Sequence, residues 1–180
     1  MPLTNIVKGK NILEITLPLG KRTNTEWCYL LGNFGVRVTG RNKTITTLPE
    51  KLGFGSVLNQ GLPFYGGNIT YHLESEGDKF AIEATRYRGA LISVAVDGET
   101  KGKIVYPPYH LEIEGLEAGN HKVDITLFGH RFNSFGAVHL TDMNHSWHGP
   151  DAWRSDEECW SYEYVFRELG ILARPIIKTR

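Results

Sequence analysis

The densest group of side chains able to do chemistry is the stretch holding His139, Asp142, His145 and His148. Imidazoles beside carboxylates suggest a transition metal, which needs nitrogen ligands at regular spacing. The spacing here matches neither an HExxH helix nor the two-histidine strand of metal-binding jelly rolls, and glycine and proline at 149 and 150 mark a polar loop. A hydrogen-bonded loop without a metal is therefore expected. Asp151, Asp156, Glu157 and Glu158 add oxygen donors that a structural calcium ion could use, although EF-hand spacing is absent. No other cofactor is expected.

Hydrolysis of a glycoside would need two carboxylates held at a defined separation about a sugar ring. None of the 20 acids is distinguished as such a pair, and the chain has no GxSxG, no Walker A loop and no locally supported Cys/His pair. Catalysis by this chain is not expected. Binding is a better prospect, because aromatic rings offer flat apolar faces to the C–H side of a sugar while polar groups meet its hydroxyls. Phe64 and Tyr65, in GLPFYGGNITY, could act this way or fold as a lid over the open end of a core, and the lid is the favoured reading. Trp147 and Trp153 flank His148-Gly149-Pro150-Asp151-Ala152 in a long polar loop and are the preferred sugar platforms. Tyr65, Arg131, Asn133 and His148 complete the candidate carbohydrate-binding set, while Trp27 and Trp160, lying in strand-like alternation, are assigned to the core.

The elements that must position these residues follow from length and period. At 180 residues the chain suits one main domain, and 20 basic residues balance 20 acidic ones, so nothing suggests a nucleic-acid partner. No apolar run approaches the roughly 20 residues of a spanning helix, and MPLTNIVKGK has no apolar signal core, so no membrane partner is expected and the compartment stays open. Cys28 and Cys159 read as two buried free thiols.

Apolar residues alternate with a period of two almost throughout. Leu13, Ile15 and Leu17 begin the pattern, then Trp27, Tyr29 and Leu31, then Phe34, Val36 and Val38. Further strands are expected at Ile69–Leu73, Phe80–Ala84, Leu91–Val96, Leu111–Ile113 and Val123–Leu127, with Trp160, Tyr162, Tyr164 and Phe166 on one face of a last strand. Leu91 to Val96, apolar at almost every position, is expected to be covered on both sides and to end at an Asp97-Gly98 turn. LPEKLGFGSVLNQG, residues 48–61, shows neither period and reads as a link. No amphipathic helical window appears, and 20 glycines with 8 prolines punctuate the chain. The expected class is all-β, a two-sheet jelly-roll β-sandwich.

Four segments in order also resemble the galactose-binding-like sandwich that accompanies large glycoside hydrolases. They are Val94-Ala95-Val96-Asp97-Gly98, Pro107-Pro108-Tyr109, Leu116 to Ile125, and Asn133-Ser134-Phe135-Gly136-Ala137-Val138-His139. Ala137 stands where that family usually has proline. The resemblance covers about residues 54–172 and implies a galactose-binding-like domain at 54–180, with 1–53 as N-terminal strands that extend the sandwich or belong to a neighbouring module. It also implies a non-catalytic accessory or carbohydrate-binding role, with a glycan or the catalytic domain of the same polypeptide as partner. The competing classes are a stand-alone jelly-roll enzyme with a histidine-based metal site and a protein–protein adhesion module.

Overall fold

The computed structural model describes residues 7–21, 28–142 and 159–179. The chain divides into two units, Met1–Gly32 and Asn33–Arg180. In the first, the described residues form no strand. This corrects the strands expected around Leu13 to Leu17 and Tyr29 to Leu31, whose side chains stay exposed, Leu17 at 58%. Alternation supplies propensity, but a strand exists only where a partner takes up its backbone hydrogen bonds. Trp27 lies outside the described residues.

Among its described residues the second unit is all-β apart from short helical turns. A four-stranded antiparallel sheet joins β3 (Ile69–Glu76), β9 (Asn120–Phe128), β6 (Leu91–Val96) and β7 (Glu99–Ile104) in that spatial order. A three-stranded sheet joins β11 (Ile176–Thr179), β4 (Phe80–Glu83) and β8 (His110–Ile113). The hairpin of β1 (Gly35–Thr39) and β2 (Asn42–Thr46) and the short pair of β5 (Tyr87–Arg88) with β10 (Gly170–Ile171) are the other paired strands among the described residues. The pairings nest: β3 takes β9, β4 takes β8, and β6 takes β7. A long hairpin folded over on itself gives this nesting, which is the jelly-roll wrap.

One core lies between the sheets. Ile69, Tyr71, Ile92, Val94, Val96, Val123, Ile125 and Leu127 come from the larger sheet, and Phe80, Ile82 and Ile113 from the smaller. Successive strand side chains face opposite ways, so the period read from the sequence is the period of burial. In β6, Ile92, Val94 and Val96 are buried, whereas Leu91, Ser93 and Ala95 are only half-covered. The expected full cover on both faces is thus corrected: β6 is central because β9 and β7 flank it within the sheet, and its outer-facing residues are only partly covered.

Three further expectations change. The stretch 48–61 is not merely a link, since Val57 is fully buried and Phe54 stacks on Tyr71 at 4.9 Å between ring centroids. Backbone bonds from Gly55 N to Ile171 O (2.7 Å) and Val57 N to Leu169 O (2.9 Å) sew this segment to the body. A 3-10 turn at Val57–Gln60 sets its apolar spacing, which is why neither regular period showed. The segment from Trp160 to Phe166 is not a strand, and Trp160 is 36% exposed rather than core. Its backbone bonds run instead to the 138–141 turn, through Ser161 N to His139 O and Val165 N to Val138 O. Both cysteines are free, but Cys28 is exposed and Cys159 half-buried.

The β6–β7 turn carries an ionic clamp. Asp97 and Gly98 take positive φ values of 50° and 85°, as a two-residue hairpin loop requires. The nearly buried His121 donates from Nδ1 to Asp97 Oδ2 (2.6 Å) and from Nε2 to Glu117 O (2.8 Å), and Lys122 N donates to Asp97 Oδ1 (2.9 Å). Two acceptors on one ring call for two ring protons, so the imidazolium is the form that fits. The hydrogen bond from His121 and then that from the Lys122 amide hold Asp97 below the usual carboxylate range. The bond to Asp97 and then that to the Glu117 carbonyl raise His121.

The raised histidine stabilises the fold below its unfolded value, and that contribution disappears as pH rises through the folded value. The depressed aspartate stabilises above its unfolded value and loses this as pH falls through the folded one. Their joint contribution is fullest between roughly pH 4 and 6.5. Melting temperature followed against pH should decline above that window in the parent and be flatter in His121→Gln; equal slopes would refute the clamp.

Candidate functional site

Two glycine-bearing loops bring the first candidate residues together. Gly66 and Gly67, before β3, run against Gly129, His130 and Arg131, after β9. A Cβ on Gly66 would stand 2.6 Å from Ser134 Oγ, and one on Gly129 would strike the Gly67 carbonyl oxygen. Glycine is needed here for close approach of backbones. Ser134 Oγ then donates to Phe64 O at 2.7 Å and fixes the two loops to each other.

Tyr65, Arg131 and Asn133 therefore share one edge of the sandwich, but not one surface. Tyr65 is 37% exposed and donates its hydroxyl to Asn68 O at 2.9 Å, which ties the ring to its own turn. Arg131 is exposed at the start of the one-turn helix α1 (Phe132–Phe135). Asn133 is 1% exposed, donating from Nδ2 to Arg167 O (2.7 Å) and accepting from Arg167 N at Oδ1 (2.9 Å). An amide closed on a backbone in this way is a brace and presents nothing to a ligand. Trp147, Trp153 and His148 lie outside the described residues, as do His145 and the acids of 151–158. Among the described residues, no group of three or more His, Cys, Asp or Glu stands placed to hold a metal ion.

The brace has a further effect, because Arg167 follows the aromatic run that the sequence assigned to a strand. Tyr164 and Phe166 stack at 5.2 Å, and Phe64 meets both edge-on at 5.1 Å. His139 lies over Trp160 and near Tyr164, each at 4.6 Å. Phe64 is thus half-buried support beneath this cluster, not a lid over the β-core. Aromatic pairs in these offset and edge-on arrangements contribute about 0.5–1.5 kcal/mol each beyond area burial.

Next to the cluster is a recess of about 180 Å³ lined by Val38, Gly40, Leu58, Asn59, Pro63, Glu163, Tyr164 and Phe166. The β1–β2 hairpin forms one wall and the 3-10 turn another. Lys43 donates from Nζ to the Tyr164 hydroxyl at 3.1 Å, with Nζ 5.0 Å from the ring centroid. Arg41 places its guanidinium carbon 5.2 Å from the Tyr162 centroid. The result is an aromatic floor with an amide, a carboxylate and a cation at its rim. Small-molecule sites usually enclose about 300–1,000 Å³, so this recess suits one ring or one side chain lying against a surface.

Tyr164, Glu163, Asn59 and Lys43 were not singled out in the sequence as site residues. The alternation places Tyr164 on one face of a last strand and gives it no part in a site. Lys43 meets Tyr164 across 121 positions of sequence, and no local pattern records such a contact.

No family model matches the sequence, and no curated protein matches it. Solved structures do match. A GH2 β-galacturonidase from Eisenbergiella tayi, bound to glycerol, is 22% identical, covers 65% of this chain and 21% of its own, and has a TM-score of 0.36. The same enzyme bound to galacturonate is 24% identical with the same coverage and TM-score. A rhamnosidase from Novosphingobium sp. PP1Y is 16% identical over 89% of this chain and 16% of its own, with a TM-score of 0.45. The chain thus spans about a fifth or less of the length of these proteins, and TM-scores below 0.5 carry no argument about substrate or chemistry.

Proposed function

We propose that this chain is a non-catalytic β-sandwich module of a carbohydrate-active protein and that it contacts a glycan through the Tyr164 recess. The observation that carries the reading is a recess in which Tyr164 and Phe166, with Val38, Leu58 and Pro63, stand beside the polar groups of Asn59 and Glu163. A sugar ring needs this combination of a flat apolar face and a few directional polar groups. The non-catalytic part is supported by the lining itself, in which Glu163 is the one carboxylate among the described residues. Acid/base hydrolysis uses two, about 5–9.5 Å apart. The reading requires no metal or cofactor.

Titration calorimetry against a panel of neutral and acidic oligosaccharides, alongside an aryl-glycoside assay, tests both parts. Binding without turnover is expected. Turnover abolished by changing a single carboxylate would overturn the non-catalytic assignment, and failure of every glycan to bind would overturn the glycan contact.

A second reading, a support role beside the catalytic domain of the same polypeptide, is favoured by the first unit. Ile12, Leu13, Ile15, Leu17 and Leu19 are all more than half exposed, a concentration of apolar surface that marks an interaction segment. The described residues before Asn33 would then face a neighbouring module, with the unit Asn33–Arg180 as the sandwich. Since Leu17 packs into no core, Leu17→Ser should shift the unfolding free energy by less than about 0.5 kcal/mol. A loss above 2 kcal/mol in urea would mean that this segment is part of the folded core.

A further inference from the structure

We infer that Asp97-Gly98 is a site of covalent modification to isoaspartate, and that the fold guards it through His121. The pair is the one Asp-Gly step in the chain, which has no Asn-Gly step. Among aspartyl steps, Asp-Gly is the readiest to react, because no side chain shields the glycine nitrogen. Gly98 meets that condition: it stands exposed in the turn between β6 and β7, and a Cβ there would meet no heavy atom within 4 Å beyond its chain neighbours.

The step needs no enzyme, oxidant or reductant. The Gly98 nitrogen attacks Cγ of Asp97 and forms an N–C bond, while the carboxyl hydroxyl and the amide proton leave together as water. A five-membered succinimide results. Water then reopens the ring at one of its two carbonyls. Breaking the new bond to Cγ restores aspartate, whereas breaking the original main-chain bond leaves the chain running through Cγ as isoaspartate. The water lost in the first step returns in the second, so the mass is unchanged.

The native turn opposes the first step in two ways. Closure consumes the protonated carboxyl, since a hydroxyl can leave as water and a carboxylate oxygen cannot. The hydrogen bond from His121, and then that from the Lys122 amide, keep Asp97 ionised below the usual carboxylate range. Closure also needs Cγ to swing onto the Gly98 nitrogen. Asp97 Oδ2 is tied to His121 Nδ1 at 2.6 Å and Oδ1 to Lys122 N at 2.9 Å, both on β9, so the swing breaks both bonds. His121 is anchored in turn on Glu117 O at 2.8 Å. The Asp97 side chain is nevertheless 52% exposed, so water reaches the ring once the guard opens.

Modification would be felt by the fold. An extra main-chain methylene lengthens a two-residue loop with φ values of 50° and 85°, and the carboxylate moves to a new branch point. His121, 8% exposed, then holds its charge without its acceptor. The isoaspartyl chain should melt below the unmodified one.

The test keeps the full chain for weeks at about pH 5, between the reference values of aspartate and histidine. Isoaspartate is counted by methyl transfer from S-adenosylmethionine with an isoaspartyl carboxyl methyltransferase, and located by fragmentation of the peptide holding Asp97. The folded parent should isomerise at Asp97 about tenfold or more slowly than the same chain in guanidinium chloride, because reaction waits on local opening. His121→Gln, which keeps a neutral donor and loses the charge, should fall between the two. His121→Leu, which loses both donors, should approach the unfolded rate, with circular dichroism confirming the fold of each variant.

Equal rates in the folded and unfolded parent would overturn the guard, and this comparison needs no substitution. Isoaspartate accumulating in guanidinium at other positions but not at Asp97 would overturn the site. Folded His121 variants that isomerise as slowly as the parent would overturn the part assigned to His121.

Discussion

Asn133→Ala should destabilise the protein by roughly 2–4 kcal/mol, because it strands both the N–H and the C=O of Arg167 in a partly covered position. Each buried polar group left without a partner costs about 1–3 kcal/mol, and Arg167 is only half-buried, which keeps the sum below the upper bound. The effect should also reach the recess. Arg167 follows Phe166 directly, so freeing its backbone loosens the segment that presents Tyr164 and Phe166. Asn133→Asp keeps the acceptor for Arg167 N but sets a buried carboxylate oxygen against Arg167 O, and should cost at least as much. Urea unfolding gives the free energies, and amide exchange at Arg167 reports the local opening. A change below about 0.5 kcal/mol in Asn133→Ala would mean that the paired bonds are not what holds this segment.

Tyr164→Ala should weaken glycan binding about 10- to 100-fold, the scale expected when a stacked aromatic platform worth roughly 1.4–2.8 kcal/mol is removed. Tyr164 also stacks on Phe166 and meets Phe64 and His139, so the same change should cost roughly 1–3 kcal/mol of stability. Tyr164→Phe separates the two effects. It keeps the ring and the stacking and removes only the hydroxyl that accepts from Lys43, so affinity should stay within about twofold if the face is what the sugar uses. Calorimetry on both variants, at a temperature well below their melting points, checks this. Undiminished binding in Tyr164→Ala would exclude the recess as the contact surface.

The β-sandwich was legible because burial in a two-layer sheet structure has the same period as the sequence. Val94 and Val96, Val123 and Ile125, and Phe80 and Ile82 point inward as their alternation required. The turn at Asp97-Gly98 was legible because its positive φ values restrict the residue types that fit. Alternation misled at both ends of the chain. Leu13 to Leu17 has strand character without a ladder, and Tyr164 and Phe166 have strand spacing in a segment whose backbone is tied to the 138–141 turn and to Asn133.

The sequence by itself determined the all-β class, the inward faces of the main strands and the turns between them, since each follows from side-chain period or from local backbone restriction. Tertiary structure alone decided the rest. Only folding brings Lys43 to Tyr164, closes Asn133 on Arg167, and seats Phe64 beneath Phe166. Those contacts join segments separated by 34 to 121 positions, and their specificity resides in distances that no local pattern encodes. The candidate site is assembled from such contacts, so its floor and rim could be found only after the chain had wrapped around its core.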